Sequence, residues 1–370
     1  MEATLAAPAS TYRRDLRCYY RPIILISSGA IILLTFWFAS RYPALLHKLQ
    51  QVGTAMPTMA YDRSVGSPVG LASTWQRIRV AALSWLAAMA IGMNFGVLFG
   101  ALLHSVLRYY PLKIGQNLYL NSLKGALVGA PMGVCANCAV PMACGITRGH
   151  GRVEVALGYL FSSPNLNPVV VMMTFAALPW YFGITKYVIV LLVIALFVPL
   201  LISFLEREQS LDIFTVDDGA TCELPPMNLD LECDEKFGDV FWELARSYLS
   251  NVWMLLKPTF TIMMLASVLA ALALTLVPWG NLLTHVTVAR AAVVSLFAVF
   301  MPVPIALDVM YAAQLQNSGV ASGYVMLFLM TLGTYSIIPT IYLWREVSRR
   351  LAVILFAFFW LLGFGCALLL

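Results

Sequence analysis

The sequence predicts an all-α, polytopic integral membrane protein with about eight spans, arranged as two structural repeats with broken or re-entrant helices. Three observations carry this expectation. Apolar residues make up 61% of the chain and charged residues 11%, and the mean hydropathy of +0.82 is beyond what a soluble chain of this length tolerates. Uncharged stretches recur at about the 20-residue length that crosses hydrocarbon. Prolines interrupt such stretches at matching places on either side of one acidic region.

The clearest apolar runs are residues 23–40, 80–107, 187–204, 258–289 and 351–370. Two longer uncharged blocks, 155–185 and 309–344, exceed one span and contain prolines, so broken helices are expected there. Arg13, Arg14, Arg17 and Arg21 precede the first run and favour a cytoplasmic N-terminus. Arg41, Lys48, Arg63, Arg77 and Arg79 follow it, which makes the asymmetry weak. The first run is too long for a cleaved leader and lacks a small-residue cleavage site.

Four regions follow from this pattern. Residues 1–76 form an N-terminal arm, first transmembrane helix and loop, and 77–205 form the first membrane repeat. Residues 206–249 are a hydrophilic connector and 250–370 the second repeat. Twelve of the 18 acidic residues fall between Glu206 and Arg246, against three basic ones, as in a solvated linker or a metal-gathering vestibule. The halves share landmarks at offsets of 163 to 171 residues: a proline after a long span (Pro111, Pro278), a Val-Pro step (Val140-Pro141, Val303-Pro304), and a second broken stretch. Paired discontinuous helices in two halves point to a binding site near the midplane.

The most informative segment is Gly133-Val134-Cys135-Ala136-Asn137-Cys138-Ala139-Val140-Pro141. Residues 125–147 hold no Asp, Glu, Lys or Arg, yet contain six Gly and Pro residues and the thiols of Cys135, Cys138 and Cys144. Cysteines three apart share a helix face and suit one soft ion or thiophile, so Cys135 and Cys138 are the candidate substrate and metal ligands. Cys144 and Asn137 add to the candidate set. A thiolate there needs a cation or a helix N-terminus, and Arg148 and Lys124 are the nearest cations in sequence. The alternative is that these cysteines are small packing residues.

Ser163-Pro164-Asn165-Leu166-Asn167-Pro168 cannot continue a regular helix. Asn165 and Asn167 either face substrate or cap the broken ends. Pro141, Pro164, Pro168 and Pro304 are the expected helix breaks. Asp308, alone among uncharged residues, is the candidate for proton coupling; the alternatives are a structural pair with Lys257, Arg290 or Lys124, or an interfacial position. Met301 occupies the repeat position of Cys138 and offers a thioether. Cys222 and Cys233 in the connector either pair in an oxidising compartment or stay free.

The histidines lack metal-ligand spacing, and no phosphate-cradling loop, dinucleotide fingerprint or catalytic triad occurs. The sequence therefore predicts a carrier and not an enzyme, with no resident cofactor and no nucleic-acid partner. Its partners are the lipid bilayer, a small thiophilic solute or soft metal ion, and, if it oligomerises, a second copy of itself. A cell inner (cytoplasmic) membrane is the expected location.

Residues 129–131 and 135–143, followed by Gly145, Gly151 and Ser162–Pro168, resemble the predicted-permease family that includes the organoarsenical efflux permeases. The resemblance extends from about Val80 onward through the two-half layout and the hydrophilic loop. It implies export of trivalent organoarsenicals or other thiophilic species along a cysteine-containing path, with Cys135 and Cys138 as the substrate-handling thiols. Many members have Cys-x-Cys-Gly-like spacing where this chain has Cys-Ala-Asn-Cys. The rival activity is a transmembrane thiol–disulfide carrier, in which the same pair cycles between dithiol and disulfide.

Overall fold

Apolar helical runs that must satisfy every backbone group within hydrocarbon leave one architecture, a helix bundle. The computed structural model describes residues 20–43, 46, 73–109, 115–148, 152–207, 236–276, 283, 285–303 and 307–369, and the regular elements among them are all helical. The helices are α1 (Tyr20–Phe36), α2 (Thr74–Tyr109), α3 (Leu118–Gly129), α4 (Ala136–Arg148), α5 (Val153–Asn165), α6 (Pro168–Ala177), α7 (Trp180–Leu192) and α8 (Val198–Arg207). After the connector come α9 (Phe237–Leu276), α10 (Val288–Phe300), α11 (Leu307–Asn317), α12 (Ser322–Thr331), α13 (Ile337–Glu346) and α14 (Arg349–Leu369). A π turn, Trp37–Arg41, extends α1, and another, Val193–Phe197, joins α7 to α8.

Among the described residues, five helical stretches are long and apolar enough to cross a membrane: Tyr20–Arg41, Met89–Leu107, Trp180–Arg207, Phe237–Leu269 and Arg349–Leu369. Their outer faces carry exposed large side chains such as Ile26, Ile31, Leu192, Leu200, Phe204, Phe260, Leu265 and Leu361. Apolar side chains turned outward in such number fit a lipid surround and not water. All five stretches overlap the runs read from the sequence, but the run 258–289 is not one element. There α9 begins at Phe237, carries Pro258 inside it and stops at Leu276, and α10 starts afresh at Val288 behind the Thr287 cap.

α2 and α9, of 36 and 40 residues, pack along each other as the longest pair. At 1.5 Å per residue each exceeds 50 Å, roughly, more than the hydrocarbon thickness. Tyr248 donates to the Leu98 carbonyl at 3.1 Å and Asn251 to the Ser105 hydroxyl at 2.9 Å, tying the two together. The short helices differ in burial: α3 and α6 expose Leu127 and Met172 on their outer faces, whereas others lie in the core. α5 and α12 bury nearly every residue. Close packing depends on small residues: side chains on Gly125 or Gly129 of α3 or Gly158 of α5 would run into the facing backbone. The short helices of one side also reach those of the other, α4 against α13 and α6 against α11.

The connector falls mostly outside the described residues, as do Cys222, Cys233 and Pro304; its last residues are the first turns of α9.

Candidate functional site

The break at the cysteines is made by backbone geometry at Gly133. A short 3-10 turn, Ala130–Met132, follows α3 and ends at Gly133, whose φ of 62° lies in the left-handed region that favours glycine. The chain then runs without helix until α4 starts at Ala136. Cys135 therefore stands at the N-terminal cap of α4. Its sulfur accepts the Cys138 backbone N–H at 3.2 Å, and its carbonyl accepts the Ala139 N–H at 2.9 Å. Sulfur does here what a serine or aspartate oxygen does in an ordinary cap. The Cys135 and Cys138 thiols are in side-chain contact, free and buried.

The interruption is thus upstream of the cysteines. Pro141 was expected to break the chain but lies inside α4. One lost hydrogen bond is tolerable where neighbouring helices hold the segment. Here α2 supplies that support through a stripe of small residues. Side chains at Gly92, Gly96 and Gly100 would meet Cys138 Sγ, the Cys138 carbonyl and the Pro141 carbonyl respectively. α4 thus lies directly on the α2 backbone.

Around the two thiols the structure places groups that the sequence did not single out. Met89 of α2 is a thioether at hand, its sulfur 3.7 Å from Cys135 Sγ; Met301 is buried at the end of α10, two residues before the Val303 carbonyl that Asn137 reaches. Arg41, on the turn after α1, is the cation that acts electrostatically on both thiols. Its Nε is shielded and has no hydrogen-bond partner. Lys124 is exposed on α3, and the Arg148 side chain lies outside the described residues. Arg41 had been visible only as a flanking charge of the first span, and nothing local in the sequence links it to residues 135–138.

Cys144 does not join the pair. Nine residues of helix separate it from Cys135, about 13 Å along the axis, and its sulfur lies 4.0 Å from Glu346 Oε2. Among the described residues no group of three or more His, Cys, Asp or Glu is set to hold a metal ion. What the site offers is a two-sulfur ligand with a thioether beside it.

Asn137 ties α4 to the opposite side. Its amide donates to the Val303 carbonyl at 3.2 Å, and its Oδ1 accepts the Ser336 hydroxyl at 2.6 Å. Ser336 also caps α13, accepting the Ile338 N–H at 3.3 Å. Trp85 holds the same extended 301–303 segment by donating to the Pro302 carbonyl at 2.7 Å.

The second broken stretch is closed by its own amides. Asn167 caps α6 by accepting the Val170 N–H at 3.0 Å, while its Nδ2 donates to the Ser163 and Pro164 carbonyls at 2.9 and 3.1 Å. Pro168 is the first residue of α6, where its missing N–H costs nothing, and Pro164 sits one residue before the end of α5. Asn165 donates to the Phe161 carbonyl at 2.9 Å and accepts from Thr334 at 3.0 Å. Both amides are fully buried and their hydrogen bonds go to protein.

Asp308, in the first turn of α11, pairs with Lys186 of α7. The N–O distance is 2.6 Å and the side chains are 3% and 0% exposed. Lys257, Arg290 and Lys124, the sequence candidates for its partner, are not the residues the fold brings there. Lys186 was hidden by its position as the charge that closes the uncharged block 155–185. A side chain on Gly333 would strike the Asp308 carboxylate, so this glycine leaves it room.

The model of a predicted permease family, ArsP_1, matches residues 80–369. The chain belongs to this permease family. Membership implies a multi-pass membrane transporter rather than an enzyme. The permease is also similar to the UPF0718 protein YraQ of Escherichia coli (strain K12), with 24% identity over 312 residues that cover 83% of each chain. No solved structure matches the permease. The matched region contains the thiols, Met89, Asn137, Lys186 and Asp308; Arg41 and α1 precede it.

Proposed function

We propose that this permease moves a small thiophilic solute or a soft metal or metalloid species outward across the cell inner membrane, by ligand exchange at Cys135 and Cys138. The observation that carries the reading is the buried thiol pair at the capped start of α4, where the Cys138 N–H meets Cys135 Sγ at 3.2 Å. A soft load binds thiolates by preference. It must also leave, and a neighbouring sulfur offers a step off the pair. Met89 is the sulfur so placed, 3.7 Å from Cys135. Asn137, Asn165 and Asn167 hold the breaks that let the thiols face a pathway.

Transport is coupled to protons through Asp308. A buried ion pair does not separate readily in a low-dielectric interior, and protonating the carboxylate releases the lysine. The Lys186–Asp308 pair joins α7 to α11, on opposite sides of the connector. Two repeats, 77–205 and 250–370, joined by a connector at 206–249, would rock around this centre. The parallel order of elements supports that division: a long helix, three short ones, a turn, a capped short helix and a closing helix on each side. The five long helices and the shorter broken ones together make about eight crossings.

A tolerance screen tests the transport reading. Cells carrying the wild type or the Cys135→Ser/Cys138→Ser protein are challenged with arsenite, methylarsenite, mercury, copper, zinc and sulfur oxyanions. Protection by the wild type alone against at least one of these supports the reading, and identical responses throughout remove it.

One observation favours a second reading. Two thiols in contact at a helix N-terminus also suit a dithiol–disulfide couple that passes reducing equivalents across the bilayer. Trapping a mixed disulfide between a Cys138→Ser variant and a thioredoxin-like partner would favour that carrier over the permease.

A further inference from the structure

We infer that Arg41 makes the thiol site selective for small anions that carry a polarisable sulfur or metalloid atom, with the chemistry of a sulfur oxyanion. This inference rests on the transport reading above and narrows its load. Three features of the geometry converge. The Arg41 guanidinium and the Cys138 sulfur flank one point: a Cβ built on Gly92 would lie 3.4 Å from the Arg41 terminal nitrogen Nη2 and 2.8 Å from Cys138 Sγ. The Nε of the same guanidinium is buried with no hydrogen-bond partner, a donor left open. The start of α4, with its partial positive charge, faces the same region at Cys135.

Arg41 is held there and does not hang free. Its stem lies over the left-handed turn, Cδ 3.8 Å from the Cβ position of Gly133. Its guanidinium stacks over Phe36, 4.6 Å from the ring centre, and Phe36 stacks on Phe95 of α2. Trp37, on the same turn, donates to the Pro131 carbonyl at 2.9 Å. The N-terminal helix, which lies before the family-matched region, therefore completes the site.

The charge decides between loads. A free metal cation entering between the thiols meets the Arg41 guanidinium and is repelled, and a neutral metalloid hydroxide gains nothing from it. An anion with a soft atom uses both halves of the site. Its oxygens take the open Nε donor, and its soft atom sits against the two sulfurs, which for this load stay protonated as weak donors instead of binding as thiolates. A hard anion of the same charge lacks the second contact.

The test is equilibrium binding to the purified full-length permease, with radiolabelled thiosulfate, sulfate and arsenite as probes. The expected order places thiosulfate about tenfold tighter than sulfate, and Arg41→Gln weakens thiosulfate about tenfold while arsenite changes less than about twofold, as for loss of one charge-assisted hydrogen bond. Arg41→Lys regains part of the loss, and an unchanged thermal midpoint shows that the variants fold. The inference is overturned if the wild type binds no thiosulfate, if sulfate binds as tightly, or if Arg41→Gln weakens arsenite and thiosulfate alike. Failure of the broader reading looks different: Cys135→Ser/Cys138→Ser then leaves the binding of every probe unchanged. Loss of arsenite in that double variant, with thiosulfate indifferent to Arg41, removes the anion selectivity alone.

Discussion

Lys186 Nζ lies 2.6 Å from Asp308 Oδ2, across 122 residues of sequence, and neither side chain reaches solvent. A pair so placed costs desolvation on both partners and is rarely a net source of stability. Breaking it is another matter, because the survivor is then a lone buried charge.

Lys186→Met or Asp308→Asn alone should therefore destabilise the protein by about 3–5 kcal/mol. The double variant Lys186→Met/Asp308→Asn should recover most of that loss and yet transport without dependence on the proton gradient. Thermal unfolding in detergent and transport at imposed pH differences measure the two halves. A double variant no more stable than either single one would contradict the pairing.

The Asn137–Ser336 hydrogen bond, 2.6 Å long, links α4 to the cap of α13. A double-mutant cycle with Asn137→Ala and Ser336→Ala should return a coupling energy of about 1 kcal/mol or more. Additive effects would mean that the two helices hold together without this contact.

Gly96→Ala should separate α2 from α4, because the added methyl meets the Cys138 carbonyl. Overpacking of this kind costs about 1–3 kcal/mol. Gly238→Ala is the matching control, since nothing lies within 4 Å of its Cβ position. The readout is the thermal midpoint of each variant against the wild type, and equal shifts would argue against backbone contact between α2 and α4.

Cys144→Ser should bind a thiophilic load within about twofold of the wild type, since some 13 Å of helix separates Cys144 from Cys135. Stoichiometric titration with a trivalent arsenical reports this directly. Loss of binding equal to that in Cys135→Ser would return Cys144 to the site.

What the sequence disclosed and what it hid divide along one physical line. Features set by local chemistry were legible. The apolar balance announced membrane helices, and Pro164 and Pro168 on either side of two asparagines announced a break that Asn167 then caps. Pro141 misled because a proline costs a helix one bond, which packing on Gly96 and Gly100 makes tolerable. The true interruption at Gly133 is set by a positive φ, for which a glycine in sequence is only a permission. Partners brought in from far along the chain were not legible at all. Met89, Lys186 and Arg41 each look ordinary in their own segments, and only the packing of α1, α2 and α7 gives them neighbours.

The central claim is that Cys135 and Cys138 together carry the load. Counterflow in proteoliposomes tests it most directly, using the species against which the wild type protects cells and comparing wild type with Cys135→Ser/Cys138→Ser. The account predicts that the double variant, folded with an unchanged thermal midpoint, falls to the rate of protein-free vesicles. Counterflow at the wild-type rate in that variant would contradict it.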